Sequence, residues 1–252
     1  MATYFVTGAS RGLGLGICTA LVARPATEVS AVFAAVRSET DALKRLIADS
    51  SGRVQAVSVD VTSENSVKGA AAKVEHGLGN KGLDAVVNAA GIMDFVPDGI
   101  EHMNDLSSTL TTNVTSVHLV TAALLPLLRR GSLKKIINIS STLGSISMAA
   151  TFSPSPAPAY KVSKAALNML TVQYALSLKD EGFTAVVISP GWVKTDMGSS
   201  RADLDIETSI KATLDIVDRV GASDTGKFFN IHVPGWEDSP GMNQYDGGQP
   251  PW

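Results

Sequence analysis

Short runs of β-branched and small apolar residues alternate along the chain with longer stretches in which apolar positions recur every three or four residues. The runs Tyr4–Thr7, Val29–Val36, Val54–Val59, Ala85–Asn88, Lys135–Ile139, Thr184–Ser189 and Phe228–Ile231 predict seven strands. Several are almost continuous in Val, Ile and Ala rather than alternating, the pattern of strands buried on both faces of a parallel sheet. Helical periodicity lies between them, at 12–24, 40–50, 63–78, 104–130, 159–181 and 205–220. The alternation predicts an α/β protein: a doubly wound, largely parallel seven-stranded sheet with helices on both faces. Pro126 is expected to end or kink the fourth helix locally.

Two segments break this rhythm. Residues 141–159 carry no charge and are rich in Ser, Pro and Ala, which predicts a long loop; residues 233–252, rich in Pro and Gly, predict an irregular tail. No repeat or interdomain linker is evident, so residues 1–252 are expected to form one domain. Apolar residues make up 44% of the chain and charged residues 18%, enough for a large core and too little charge for a disordered chain. A net charge of −3 counts against nucleic acid or an acidic membrane as partner. Cys18, the only cysteine, excludes an internal disulfide and fits a reducing compartment. The chain enters its first strand without a basic or apolar leader, and its apolar stretch Leu119–Leu128 is too short for a bilayer, so a cytoplasmic protein is expected. His76, His102, His118 and His232 lack metal-like spacing, and no metal is expected.

Candidate chemistry begins at the turn after the first strand. Gly8, Gly12 and Gly14, with Ser10, Arg11 and Leu13 among them, would let backbone N–H groups approach a pyrophosphate, and the helix start adds partial positive charge. The second strand ends at Val36-Arg37-Ser38. An acid there would hold a ribose 2′-hydroxyl, whereas Arg37 would meet a 2′-phosphate, so NADP(H) is favoured over NAD. Arg11 could add a second cation over the adenosine end; the plainer reading of both arginines is solvation. Tyr160 and Lys164 fall one turn apart on one helix face, with Pro158 marking the helix start. An ammonium so placed is expected to stabilise phenolate and lower the tyrosine pKa toward working pH.

The glycine spacing is followed in order by Asp60-Val61, Asn88-Ala89-Ala90-Gly91, Asn113, Ser141, Tyr160-x-x-x-Lys164 and Pro190-Gly191. This set resembles the short-chain dehydrogenase/reductase superfamily over essentially the whole chain, in the style of carbonyl reductases, C-factor-like proteins and fungal ketoreductases. The resemblance implies a Rossmann-type fold, an NADP(H) cofactor and hydride transfer to a small-molecule carbonyl. It implies that Tyr160 donates the proton, that Lys164 keeps the tyrosine acidic and binds the nicotinamide ribose, and that Asn113 holds a water for proton relay. Ser141 would orient the substrate oxygen, with Ser140 ranked second. Asp60 would bind adenine, a helix cap being its other reading with Thr62 as rival; Val61, Asn88, Ala89 and Gly91 would line the cofactor. Pro190, Gly191, Val193 and Thr195 would flank the nicotinamide. A homodimer or homotetramer through the helices near 104–130 and 159–181 is also implied.

The chain departs from the family pattern in two places. The gap from Ser141 to Tyr160 is long, so that segment could reshape the substrate pocket or disturb a subunit contact, and Asn-Ala-Ala-Gly replaces Asn-Asn-Ala-Gly. Met93, Phe95, Met148, Phe152, Trp192 and Met197 flank the signature segments and suggest a pocket for an apolar or aromatic substrate, with core packing the alternative for each. The tail with Trp236 and Trp252 is expected to fold over the crevice or against a second subunit. An NADP-dependent alcohol dehydrogenase, epimerase or dehydratase remains open. A cofactor-binding regulator without turnover would predict loss of a catalytic residue, and all four are present.

Overall fold

The computed structural model describes residues 1–252. Its strands are β1 (Ala2–Thr7), β2 (Val29–Val36), β3 (Val54–Ser58), β4 (Ala85–Asn88), β5 (Lys135–Ile139), β6 (Thr184–Ser189) and β7 (Phe228–Asn230). All pair in parallel, in the order β3-β2-β1-β4-β5-β6-β7. This is the Rossmann-type doubly wound sheet. Its order reverses between β1 and β4, so the loops leaving those strands part and open a crevice at the carboxyl edge.

The nearly unbroken apolar strands explain why both faces must be covered: every position of β5 and β6 is buried. Helices α1 (Gly12–Ala23) and α7 (Ile206–Arg219) close one face around Val6, Ile17, Leu21, Val186 and Ile210. Helices α3 (Glu64–Leu78), α5 (Ser116–Arg130) and α6 (Pro158–Ser177) close the other around Phe5, Phe33, Val74, Leu124 and Ile136. Neighbours on one strand, Phe5 and Val6, serve opposite layers because side chains alternate across a sheet. Each such side chain contributes about 1.5–3 kcal/mol on burial.

Helix starts follow local capping chemistry. Thr40 caps α2 (Asp41–Asp49) by accepting from Leu43 N, and Asp205 caps α7 by accepting from Thr208 N. The cap of α3 is Ser63, which accepts from Ser66 N, rather than Asp60 or Thr62. The expected helix at 104–130 is continuous from Leu106 but comprises α4 (Leu106–Leu110), a π turn over Thr111–Thr115, and α5. Pro126 does not end it: Pro126 and Ala122 lie on the exposed side, where water can take the carbonyl left without a partner. At 25 residues this helix is long and apolar enough to cross a membrane, although Leu119–Leu128 alone suggested otherwise. Here its buried stripe, including Val120, Leu124 and Leu128, covers the sheet. The expected helix 159–181 ends at Ser177, and Lys179–Glu181 form a separate 3-10 turn before left-handed Gly182.

The amino edge of the sheet is closed by buried polar groups. Asp84 accepts from Thr3 N (2.9 Å), Thr3 Oγ1 (3.1 Å), Ser132 N (2.8 Å) and Leu133 N (3.3 Å). Buried Lys135 donates to the Val217 and Asp218 carbonyls near the end of α7 (2.6 and 3.2 Å).

Candidate active site

At the carboxyl edge, Thr7 Oγ1 accepts from both Ala89 N and Ala90 N at 3.0 Å, joining the ends of β1 and β4. Gly8 follows with φ +69°, and a Cβ there would come within 3.0 Å of Ala90 backbone atoms. A Cβ on Gly14 would overlap the Gly8 carbonyl, so only glycine lets the helix start this close to the strand end. The residue before α1, Arg11, makes no side-chain cap, so the first-turn N–H groups of Gly12, Leu13 and Gly14 are not satisfied by a capping side chain. Unclaimed donors at a helix start suit a pyrophosphate. Ser10 contributes its carbonyl to Thr40 Oγ1 (2.7 Å), which ties this turn to the start of α2. Arg11 itself turns toward Asp196 (2.9 Å) rather than the adenosine end; both side chains are about three-quarters exposed, so the pair is weak.

The candidate adenosine end lies at β2 and β3. A hollow of about 390 Å³ is lined by Val36, Arg37, Ser38, Glu39, Lys44, Ala56 and Ser58. Arg37 is exposed and pairs with no carboxylate. Lys44 is a second cation that the sequence reading missed, because its spacing from Asp41 marks an ordinary helix charge pair (3.5 Å). Asp60, also exposed, forms a local turn: Oδ1 accepts from Thr62 Oγ1 (2.7 Å) and Thr62 N (3.0 Å), which holds its pKa below the usual carboxylate value. Val61 beside it is half-buried.

The candidate proton-handling groups come from the end of β5 and from α6. Tyr160 is in the first turn of α6, which opens at Pro158 as expected. Burial pushes the Tyr160 phenol up to about 12, and the facing Ser141 hydroxyl offsets only part of that rise. Lys164 does not lower it as expected. Lys164 Nζ lies 5.4 Å from the Tyr160 ring centroid and donates to the Ile139 carbonyl (2.8 Å). Burial lowers this amine to about 8. The arrangement keeps the phenol protonated at neutral pH, as a proton donor requires. Ser140 Oγ donates to Asn168 Oδ1 (2.8 Å) and is buried, whereas half-buried Ser141 accepts from Leu143 N (3.2 Å) and turns its hydroxyl toward the Tyr160 phenol rather than to a scaffold acceptor. The structure thus separates two adjacent serines.

Asn113 lies at the centre of the π turn, fully buried. Its Oδ1 accepts from Ile92 N (2.8 Å), and its Nδ2 donates to Ile92 O (2.9 Å) and Ser163 Oγ (3.0 Å). Ser163, absent from the sequence reading, donates onward to Tyr160 O (2.7 Å). Both amide hydrogens of Asn113 are therefore committed to protein acceptors. A Cβ at Gly91 would lie 3.3 Å from Asn113 Oδ1 and 3.9 Å from Lys164 Nζ, so these three residues meet. Asn88 Nδ2 donates to Asn138 Oδ1 (2.8 Å) and Thr121 Oγ1 (3.1 Å), and Asn138 Nδ2 donates to Thr171 Oγ1 (2.8 Å). This ladder ties β4 and β5 to α5 and α6. It occupies the Asn88 amide nitrogen and leaves Asn88 Oδ1 buried without a partner, while half-buried Ala89 continues toward Gly91.

The loop after β6 crosses the crevice. Pro190 O accepts from Ser209 Oγ (2.7 Å), and Gly191 takes φ +82°, where a Cβ would press on Leu204 and Tyr245. Val193 is buried and bridges to Leu204. Thr195 Oγ1 caps its own turn by accepting from Gly198 N (3.0 Å) and donates to Val193 O (3.3 Å). Its methyl lies 3.5 Å from the Cβ position of Gly12, so the loop reaches the glycine turn. Of the apolar candidates, Met93 and Met148 are half-buried and Phe95, Trp192 and Met197 are exposed. Phe152 is only 4% exposed and packs inside the long loop, which makes it scaffold rather than open wall. That loop is ordered by Val96 N donating to Pro156 O (2.7 Å) and Lys161 Nζ to Phe152 O (2.6 Å).

Comparison with known proteins agrees with this geometry. Residues 2–205 match the family model described as short chain dehydrogenase. The chain is similar to C-signal of Myxococcus xanthus, 36% identical over 149 residues, which cover 59% of this chain and 88% of that protein. It is similar to norsolorinic acid ketoreductase of Aspergillus parasiticus, 30% identical over 259 residues covering 99% and 90% of the two chains. The crystal structure of NADPH-bound carbonyl reductase from chicken fatty liver superposes with a TM-score of 0.87 at 31% identity, covering 100% of this chain and 94% of that one. With family match, near full-length relatives and the crevice geometry in agreement, the chain belongs to the short-chain dehydrogenase family.

Proposed function

We propose that the protein reduces a ketone to an alcohol with NADPH. One observation carries this reading: Ser141, just past the end of β5, and Tyr160 and Lys164, in the opening turns of α6, are gathered at the carboxyl edge of the sheet, which also holds the glycine turn. The fit to the phosphorylated cofactor rests on the uncapped start of α1 and on two cations, Arg37 directly after β2 and Lys44, around one hollow that also has Glu39 in its lining. The NADPH-bound avian carbonyl reductase supports the same choice.

The reduced nicotinamide supplies the hydride. Ser141 Oγ donates a hydrogen bond to the substrate oxygen and fixes its position beside the phenol. Tyr160 Oη gives its proton to that oxygen as negative charge develops, a role contributing about 10²–10⁴-fold. Lys164 Nζ would hold the ribose hydroxyls of the bound cofactor and, as a cation, would stabilise the phenolate left behind. Asn113 and Ser163 hold the Tyr160 turn in register with the end of β4. Met93, Met148, Trp192 and Met197 offer an apolar wall to the substrate.

Following NADPH absorbance with a panel of aromatic and aliphatic ketones tests this reading, with Tyr160→Phe as the comparison. Turnover by the wild type and near-silence of the variant is the expected result; equal turnover by both would assign the proton to another donor. We further propose a homodimer through α6, because Val162, Met169 and Leu176 recur at seven-residue spacing and are 49%, 60% and 65% exposed. Met169→Glu should shift a dimer to monomer in light scattering; a wild-type monomer at micromolar concentration would remove the proposal.

A further inference from the structure

The tail after β7 touches both loops that wall the crevice. It folds back on itself through Val233 N to Tyr245 O (2.9 Å) and Tyr245 N to Trp236 O (3.1 Å), with the Trp236 and Tyr245 rings 5.3 Å apart. Tyr245 is 3% exposed despite its place in an irregular segment. Its hydroxyl donates to Asp203 Oδ2 (2.6 Å) and accepts from Trp192 N (3.1 Å), and Asn243 Nδ2 donates to the same Asp203 oxygen (2.8 Å). Trp192 and Asp203 lie near the two ends of the loop after β6, which carries Thr195 and Met197. One tyrosine therefore holds that loop at both ends.

The same segment then reaches the other wall. Trp252 stacks on Phe228 of β7, with ring centroids 5.4 Å apart at 27°. Beside it, the Pro251 carbonyl accepts from Ser145 Oγ (2.6 Å), and the Trp252 carbonyl accepts from Ser147 Oγ (2.8 Å) and Ser147 N (3.1 Å). Ser145 Oγ also accepts from Met148 N (3.1 Å), so the grip passes directly to a candidate wall residue. Ser141 is four residues upstream on this loop. The long uncharged insertion, which has few apolar anchors of its own, is thus fastened by hydroxyl-to-carbonyl bonds from a remote part of the chain.

We propose that residues 233–252 act as a strap that couples the loop after β5 to the loop after β6, with Tyr245 and Trp252 as positioning residues that set the width of the substrate pocket. Neither side chain reaches the reacting groups. Their effect passes through Trp192 and Asp203 on one side and through Ser145 and Met148 on the other. The inference deepens the carbonyl-reductase reading and rests on it for the substrate, but the coupling itself can be measured without turnover.

The test uses Tyr245→Phe, Trp252→Ala and their double variant in the full chain. Tyr245→Phe removes only the hydroxyl; Trp252→Ala removes a ring that is 42% exposed, so both should fold. Hydrogen exchange is read first. Tyr245→Phe should speed amide exchange in residues 143–153, which it does not touch, and Trp252→Ala should speed it in residues 192–204, each by about three- to tenfold. In steady state, each variant should raise KM for a bulky aromatic ketone by a similar factor while kcat changes less than about twofold, and the double variant should be non-additive. Exchange altered only in the loop each residue touches would overturn the strap, as would strictly additive KM effects or a fall in kcat at unchanged KM. If wild type turns over no ketone while cross-loop exchange responds, the substrate assignment falls and the coupling stands.

Discussion

The two edges of the same sheet are built by opposite rules. At the amino edge, Asp84 meets four protein donors and Lys135 two protein carbonyls, so the buried charges are satisfied within the chain. At the carboxyl edge, the start of α1 lacks a side-chain cap, Arg37 has no carboxylate partner, and the Ser141 hydroxyl turns toward the Tyr160 phenol rather than to a scaffold acceptor. The strands between are equally apolar. What differs is where the hydrogen-bonding capacity is directed: inward at one edge for stability, outward at the other for a ligand. Polar groups alone therefore do not mark a site; polar groups left with unused capacity do.

Substitutions at the two edges should separate these roles. The largest effect is expected from Tyr160→Phe, which removes the donor hydroxyl: kcat should fall about 10³-fold with little change in Tm. Asp84→Ala should show the reverse, a loss of about 3 kcal/mol in denaturant unfolding with kcat per folded molecule unchanged, since four donors lose a buried acceptor. A kinetic defect in that variant at full folding would blur the division between the edges.

Lys164 allows a pH test of the same contrast. Its folded pKa, about 8, lies below the ordinary 10.5, so from about pH 8 to 10.5 the unfolded chain binds the proton that the folded chain has shed. The Lys164 contribution to stability should therefore rise with pH across that window, by on the order of 3 kcal/mol, and be least favourable below it. Unfolding free energies of wild type and Lys164→Met, measured without added cofactor, should diverge in that direction; a constant difference from pH 7.5 to 10 would contradict it. The smallest effect is assigned to Arg37→Ala. The Kd for NADPH should rise roughly tenfold while that for NADH stays put, because only one carries the 2′-phosphate.

The strands were readable within one or two residues because double-sided burial leaves an unmistakable run of Val, Ile and Ala. The glycine turn and the Tyr160–Lys164 pair were readable because backbone geometry and helix spacing constrain them locally. Several features were not. The π turn that buries Asn113, the service of Ser163 beneath Tyr160, and the Asn88-Asn138-Thr171 ladder depend on partners 21 to 50 residues away. Lys44 carries no local signal beyond its three-residue spacing from Asp41, and only burial decides between pocket wall and core packing for Phe152.

By itself, the order of residues determined the alternating architecture, the crevice-forming turn and the identity of the groups able to move a proton. Periodicity, glycine and helix spacing act over a few residues, so these features are written locally. Only the tertiary structure decided which of two neighbouring serines turns its hydroxyl toward Tyr160, which way the Lys164 amine points, and that the tail holds both crevice loops. Those outcomes follow from burial and hydrogen bonding between distant segments, which packing alone brings together.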